Sequence, residues 1–153
     1  MISKPTTEQI LLDCSRELME VVLPAVSDET AQVAVYMLDL VLRNSAVRAA
    51  HEIAWMSEEI DELAAFAEAV FSAIPQAPGL SEALEGDVGK PLASLHLDDV
   101  VERYRQASEA SSRAIEAAVG AGNAELVRQG AELMERRVQH EQVVMSGWSP
   151  VGR

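Results

Sequence analysis

Asn44, Arg48, His51 and Trp55 recur at steps of four, three and four, so on a helix they share one face. An arginine there supplies a planar donor fork that matches carboxylate or phosphate, and a histidine supplies a donor that titrates near neutrality. Asn44, Arg48 and His51 are therefore candidates for binding a small anion. The plainer role for such a stripe is a solvated flank, or polar contact with another helix. A few residues on, Glu58-Glu59-Ile60-Asp61-Glu62 puts Glu58, Glu59 and Glu62 on one side of the same helix. Clustered carboxylates present the hard oxygen ligands that Mg²⁺ prefers. Their ordinary role is again a solvated face.

Other chemistries lack their residues. A ferritin-like di-iron site needs Glu three residues before His on paired helices, but Arg48 precedes His51 and Arg137 precedes His140 at that spacing. Nothing in the spacing of His51, His96 and His140 supports a zinc site. Gly86-Asp87-Val88-Gly89-Lys90 lacks two parts of a phosphate loop: Leu84 stands where the first glycine belongs, and Pro91 stands where Ser or Thr belongs. The serines show no nucleophile–base context.

The elements that carry these residues follow from where helix breakers fall. No glycine precedes Gly79, and no proline lies between Pro24 and Pro75. Inside a helix glycine costs roughly 1 kcal/mol and proline about 3 kcal/mol, so the interval marks a helix with no reason to stop. Within it Ala46, Ala49, Ile53, Met56, Ile60, Leu63, Ala67, Val70 and Ile74 alternate steps of three and four, led in by Val35, Leu38 and Leu42. Such a seam buries against a partner helix. Ser57-Glu58-Glu59 has the look of a helix start, which makes Ser57 the one place for a kink or turn. The seam crosses it in register, and one long helix over about 28–73 is expected. Unbroken, it would run about 70 Å at 1.5 Å per residue, too long for a compact monomer, and so it predicts a second chain.

Ahead of it, Thr6 and Gln9 form a capping box opening a helix with the stripe Ile10, Cys14, Leu18 and Val21, ended by Pro24. Ser27 and Asp28 are the next N-cap candidates. Residues 75–96 collect Pro75, Pro78, Gly79, Gly86, Gly89 and Pro91 and read as a long, flexible connection with room for one helical turn after Ser81. Two stripes follow: Leu97, Val100, Val101, Tyr104, Ser111, Ala114, Ile115, Ala118, and then Val127, Ala131, Met134, Val138. Gly120-Ala121-Gly122-Asn123 joins them as a C-cap followed by an N-cap, which makes an antiparallel helical hairpin. Residues 146–153 read as an irregular tail, with Trp148 placed to dock on the bundle. The expected fold is all-α: a single domain over 1–153, a bundle of four to five helices.

Composition narrows the function classes. The 153 residues are 48% hydrophobic and 4% aromatic, which suits close-packed helices rather than a β-sandwich. The formal charge is −13, and Asp and Glu outnumber Lys and Arg in both halves. Such a surface repels phosphate backbones and anionic lipid, so neither nucleic acid nor membrane is an expected partner. Cys14 is the single cysteine, which precludes an internal disulfide or a thiolate metal cluster. No apolar run has the length of a membrane span and the start has no signal-peptide core, so the expected compartment is the cytoplasm.

Two resemblances add to this. The Glu58–Glu62 string resembles the first half of the metal motif of the all-α nucleotide pyrophosphohydrolases of the MazG type, which implies Mg²⁺ held by Glu58, Glu59 and Glu62. The second half of that motif, E-x-x-D on the next helix, has no counterpart: Glu82 is followed by Glu85, and Leu95 and His96 stand three residues before Asp98 and Asp99. Separately, Pro5–Asp13 and the Val21–His51 segment, with Leu42-Arg43-Asn44 and Arg48-Ala49-Ala50-His51-Glu52, resemble an uncharacterised family of small bacterial helical proteins. These are often encoded beside phosphotransferase-like kinases and acyl-CoA dehydrogenase-like enzymes. That resemblance implies an accessory role beside an enzyme and brings no catalytic residue with it. The leading expectation is a non-enzymatic, homodimeric interaction protein without a cofactor. The alternatives are a Mg²⁺-dependent nucleotide pyrophosphohydrolase and a small-anion binding module.

Overall fold

The computed structural model describes residues 4–145, and among these every regular element is helical. The protein is an all-α bundle with one long helix and a C-terminal helical hairpin. Helix α1 (Thr7–Glu17) opens on the expected capping box: the Gln9 amide donates to Thr6 Oγ1 at 3.2 Å, and the Thr6 amide donates to Gln9 Oε1 at 3.0 Å. Pro24 does not end this run. A π-helical turn (Leu18–Val22) leads into a short α2 (Leu23–Ala25), and the Leu23 amide bonds back five residues to the Leu18 carbonyl. The widened turn stands just ahead of the proline, whose ring would otherwise press on the carbonyl four residues before it. The chain turns extended only at Val26.

Asp28 caps the next helix by accepting the Ala31 amide at 2.8 Å. Helix α3 (Glu29–Ala73) then runs 45 residues without interruption, and Ser57 lies inside it as an ordinary helical residue. The absence of internal glycine and proline accounts for this continuity. From Ile60 onward the expected seam is the buried one: Ile60, Leu63, Ala67 and Val70 are all sealed from solvent. Upstream the expectation holds only in part: Val35 and Ala46 of the seam are buried and Leu42 and Met56 half-buried, but Leu38, Ala49 and Ile53 are exposed. The buried line there runs through Val35, Asp39 and Ala46.

Two compact units make up the chain. One comprises residues 1–52 with 140–153. Within its described part, the α1 stripe expected to be buried (Ile10, Cys14, Val21) is exposed, and the buried residue of α1 is Ser15. Ser15 Oγ donates to Asp39 Oδ1 at 2.5 Å, and Arg43 pairs with the other oxygen of Asp39 at 2.6 Å. The buried carboxylate of Asp39 thus has both a hydroxyl and a guanidinium, which its desolvation demands.

The second unit, residues 53–139, holds the continuous core. The connection after α3 is anchored to it: Ala77, Leu80 and Val88 are buried, with Leu80 opening the short α4 (Leu80–Ala83) after Gly79 at φ 72°. Arg103 donates to the carbonyls of both Asp87 and Lys90. Helix α5 (Leu97–Gly120) buries Val100, Ala107, Ser111, Ala114 and Ala118 at alternating steps. It ends in a Schellman arrangement, with Gly122 at φ 65°, the Asn123 amide bonded to the Ala118 carbonyl, and the Gly122 amide bonded to that of Val119. Asn123 then caps α6 (Ala124–Met145) by accepting the Leu126 amide at 3.2 Å.

On α6 the buried stripe is one residue out of step with the expected one. Leu126, Gly130 and Leu133 face inward with half-buried Arg137, whereas Val127, Ala131 and Val138 are exposed. Gly130 permits this. A Cβ there would lie 3.1 Å from Ile115 Cγ1 and 3.2 Å from Phe66 Cζ, so α6 approaches its neighbours more closely than a larger residue allows. The tail expectation for residues 146–153, Trp148 included, lies outside the described residues. Among the described residues no helix is long and apolar enough to cross a membrane.

Candidate functional site

The strongest convergence of polar side chains is one that sequence periodicity did not disclose. Glu59 of α3, Tyr104 of α5 and Arg137 of α6 meet inside the second unit. Each occupies the inward stripe of its helix, with Glu59 only 7% exposed. The Tyr104 hydroxyl donates to Glu59 Oε2 at 2.6 Å. Arg137 donates to the same hydroxyl from Nη2 at 2.7 Å and from Nε at 3.1 Å. Its Nε also lies 3.3 Å from Glu59 Oε2, and its guanidinium sits 5.3 Å from the Tyr104 ring centroid. Burial pushes the Tyr104 phenol above its ordinary range, and the hydrogen bond to Glu59 pushes the same way. The phenol therefore stays protonated at neutral pH and serves as a donor, not a base. The triad is three helices tied at one polar node, with its carboxylate already occupied by a phenol and a guanidinium.

That node dismantles the expected metal cluster. Glu59 points inward to Tyr104 and Arg137, Glu62 pairs with Arg136 at 3.0 Å, and Glu58 is exposed. The residues are two neutralised acids and one solvated one, so they do not fit a Mg²⁺ site. Among the described residues, no group of three or more His, Cys, Asp or Glu side chains converges to hold a metal ion.

The expected anion stripe lies further up α3. Arg48 spends its guanidinium on Glu141 of α6 at 3.0 Å, with both side chains about half exposed. Asn44 is half-buried, and His51 lies on the exposed side of α3.

Two open clefts of about 430 Å³ each lie elsewhere, between the 75–96 connection and α5. Glu82, Glu85, Asp87 and Glu109 line the first together with Arg113, which leaves it acidic. Ile74, Ala77, Pro78 and Ala117 make the second largely apolar. The signal for the triad was present in the sequence only as an arginine, Arg137, at the spacing of Leu126, Gly130 and Leu133. No family model matches the chain, and no curated protein or solved structure matches it.

Proposed function

We propose that this chain is a non-enzymatic accessory protein that self-associates through α3. One observation carries this. Among the described residues of the first unit, only Val35, Ala46 and Val144 are buried apolar side chains, while Ile10, Val21, Val33, Met37, Leu38 and Val41 are exposed. A unit of that size needs most of its apolar surface covered to be stable, and an exposed apolar ridge such as Val33, Met37 and Val41, at steps of four on α3, is of the kind that marks protein–protein contacts. The cytoplasm suits an exposed, unpaired Cys14, which a reducing compartment keeps as a thiol. An enzyme as the eventual client accords with the family that the first third of the chain resembles. A Mg²⁺-dependent pyrophosphohydrolase is the less favoured alternative, because Tyr104, Arg136 and Arg137 already engage the acids it would need.

Light scattering across a concentration series tests this directly. A dimer is expected, and a monomer at every concentration would overturn self-association. In a thermal-shift assay, Mg²⁺ with nucleoside triphosphates should leave the melting temperature unchanged. A Mg²⁺-dependent rise would favour the enzyme instead.

A further inference from the structure

We infer that the partner on the outer face of α3 is a second copy of this chain, lying antiparallel with its two-fold axis at Met37. This rests on self-association and adds the surface, the direction and the register. On α3 the inward line passes through Val35, Asp39 and Ala46. On the opposite side Val33, Met37 and Val41 follow one another at steps of four, and they are 51%, 47% and 56% exposed, with Tyr36 beside Met37. A helix that is apolar on both sides is one meant to be covered on both sides.

Charge selects a second copy and sets its direction. Between Glu29 and Arg43 the only charged side chain is Asp39, and it is turned inward to Ser15 and Arg43. A chain of net charge −13 can approach its own copy only where acids are absent, and this patch meets that condition. The patch is bounded by Asp28 and Glu29 at its start and by the half-exposed Arg43 and Arg48 at its far end. Antiparallel pairing keeps the acidic starts of the two helices at opposite ends of the ridge, each near an end where Arg43 and Arg48 are neutralised by Asp39 and Glu141, whereas parallel pairing sets Asp28 and Glu29 of one copy beside those of the other. A two-fold interface is self-complementary, so the middle residue of the ridge, Met37, meets its own counterpart, and Val33 meets Val41.

Cysteine cross-linking in a Cys14→Ser background reads this geometry. Met37→Cys should form a disulfide-linked dimer on air oxidation. Val33→Cys alone and Val41→Cys alone should not, because equivalent residues would lie about 12 Å apart along the axis at 1.5 Å per residue, and a disulfide needs Cα atoms within about 7 Å. Mixing those two variants should restore the link. Separately, Met37→Glu sets two carboxylates at the axis and should weaken dimerisation at least about tenfold, with the helical circular dichroism unchanged. If the wild-type chain is monomeric, self-association fails and this inference with it. If it is dimeric but Met37→Cys does not cross-link and Met37→Glu still dimerises, the interface lies elsewhere and only the inference falls. Cross-linking of all three single variants would mean parallel pairing and would overturn the antiparallel register.

Discussion

Tyr104 donates its hydroxyl to Glu59 at 2.6 Å, across 45 residues of sequence. Arg137 closes the node from a third helix, so Glu59 depends on two other helices for its solvation. Arg137→Ala removes the guanidinium that lies 3.3 Å from the buried Glu59 carboxylate. Breaking a buried pair by deleting one partner costs roughly 3–5 kcal/mol, and Arg137, at 30% exposed, belongs at the lower end. The expected loss is about 3 kcal/mol in urea denaturation. A loss under about 1 kcal/mol would mean that Glu59 recovers water when the arginine goes.

The same node gives the protein an alkaline limit. The folded-state pKa of Tyr104 is raised from its ordinary value of 10.0 by burial and by Glu59. A group raised in this way contributes stability that is fully present below the unfolded value and is lost as pH rises through the folded one. Stability should therefore begin to fall above about pH 10. Tyr104→Phe should flatten that part of the curve, and thermal melts across the alkaline range, run on both proteins, would show it.

At the acid end the relevant groups lie on the surface. Arg128, and then Gln129, hydrogen-bond Glu125 and hold its carboxyl down at about 2, as Arg105 and Gln106 do for Glu102. Depressed carboxyls contribute above the unfolded value and lose that contribution as pH falls through the folded one, here between about pH 4.5 and 2. Carboxyl NMR should find Glu125 titrating near the bottom of that window. In Arg128→Gln it should return towards 4.5. An unchanged midpoint would show that the arginine does not set it.

Two glycines near the hairpin should respond oppositely to alanine. At Gly130 the new methyl meets Ile115 and Phe66 at 3.1 and 3.2 Å. The helix-propensity gain of up to about 1 kcal/mol then opposes an overpacking cost of about 1–3 kcal/mol. A net loss near 1 kcal/mol is expected. At Gly120 nothing lies within 4 Å of the new methyl, and a gain of up to about 1 kcal/mol is expected. Chemical denaturation of the two single variants gives both signs.

These glycines also show how far the fold was legible beforehand. Caps could be read because they act locally: Thr6 with Gln9, Asp28, and the Gly122-Asn123 joint each satisfy backbone groups a few residues away, whereas the break expected at Pro24 was absorbed by a π-turn. The length of α3 followed from the lack of breakers alone. The inward register of α6 could not be read, because its stripe contains Gly130 and Arg137, which apolar periodicity counts as gaps. Each is explained only by a side chain from another helix: Phe66 and Ile115 for the glycine, Glu59 and Tyr104 for the arginine. Glu59 was visible as one of three clustered acids, yet its partner set, and so its role, was long-range. The burial of Ser15 against Asp39 was likewise hidden, since a serine on a helix looks like surface until the carboxylate it serves is known.

Helix α5 meets the core through Ala107, Ala110, Ser111, Ala114 and Ala118, none more than 1% exposed. There is little bulk in that row to lose and no room in it to add any. Replacing one of the alanines by glycine costs about 1 kcal/mol in helix propensity and roughly a further 0.8 kcal/mol for the buried methyl, whereas a branched side chain overpacks a sealed site. Mutational drift along this helix is therefore one-directional: residues can shrink and be tolerated, but they cannot grow unless a facing residue shrinks with them.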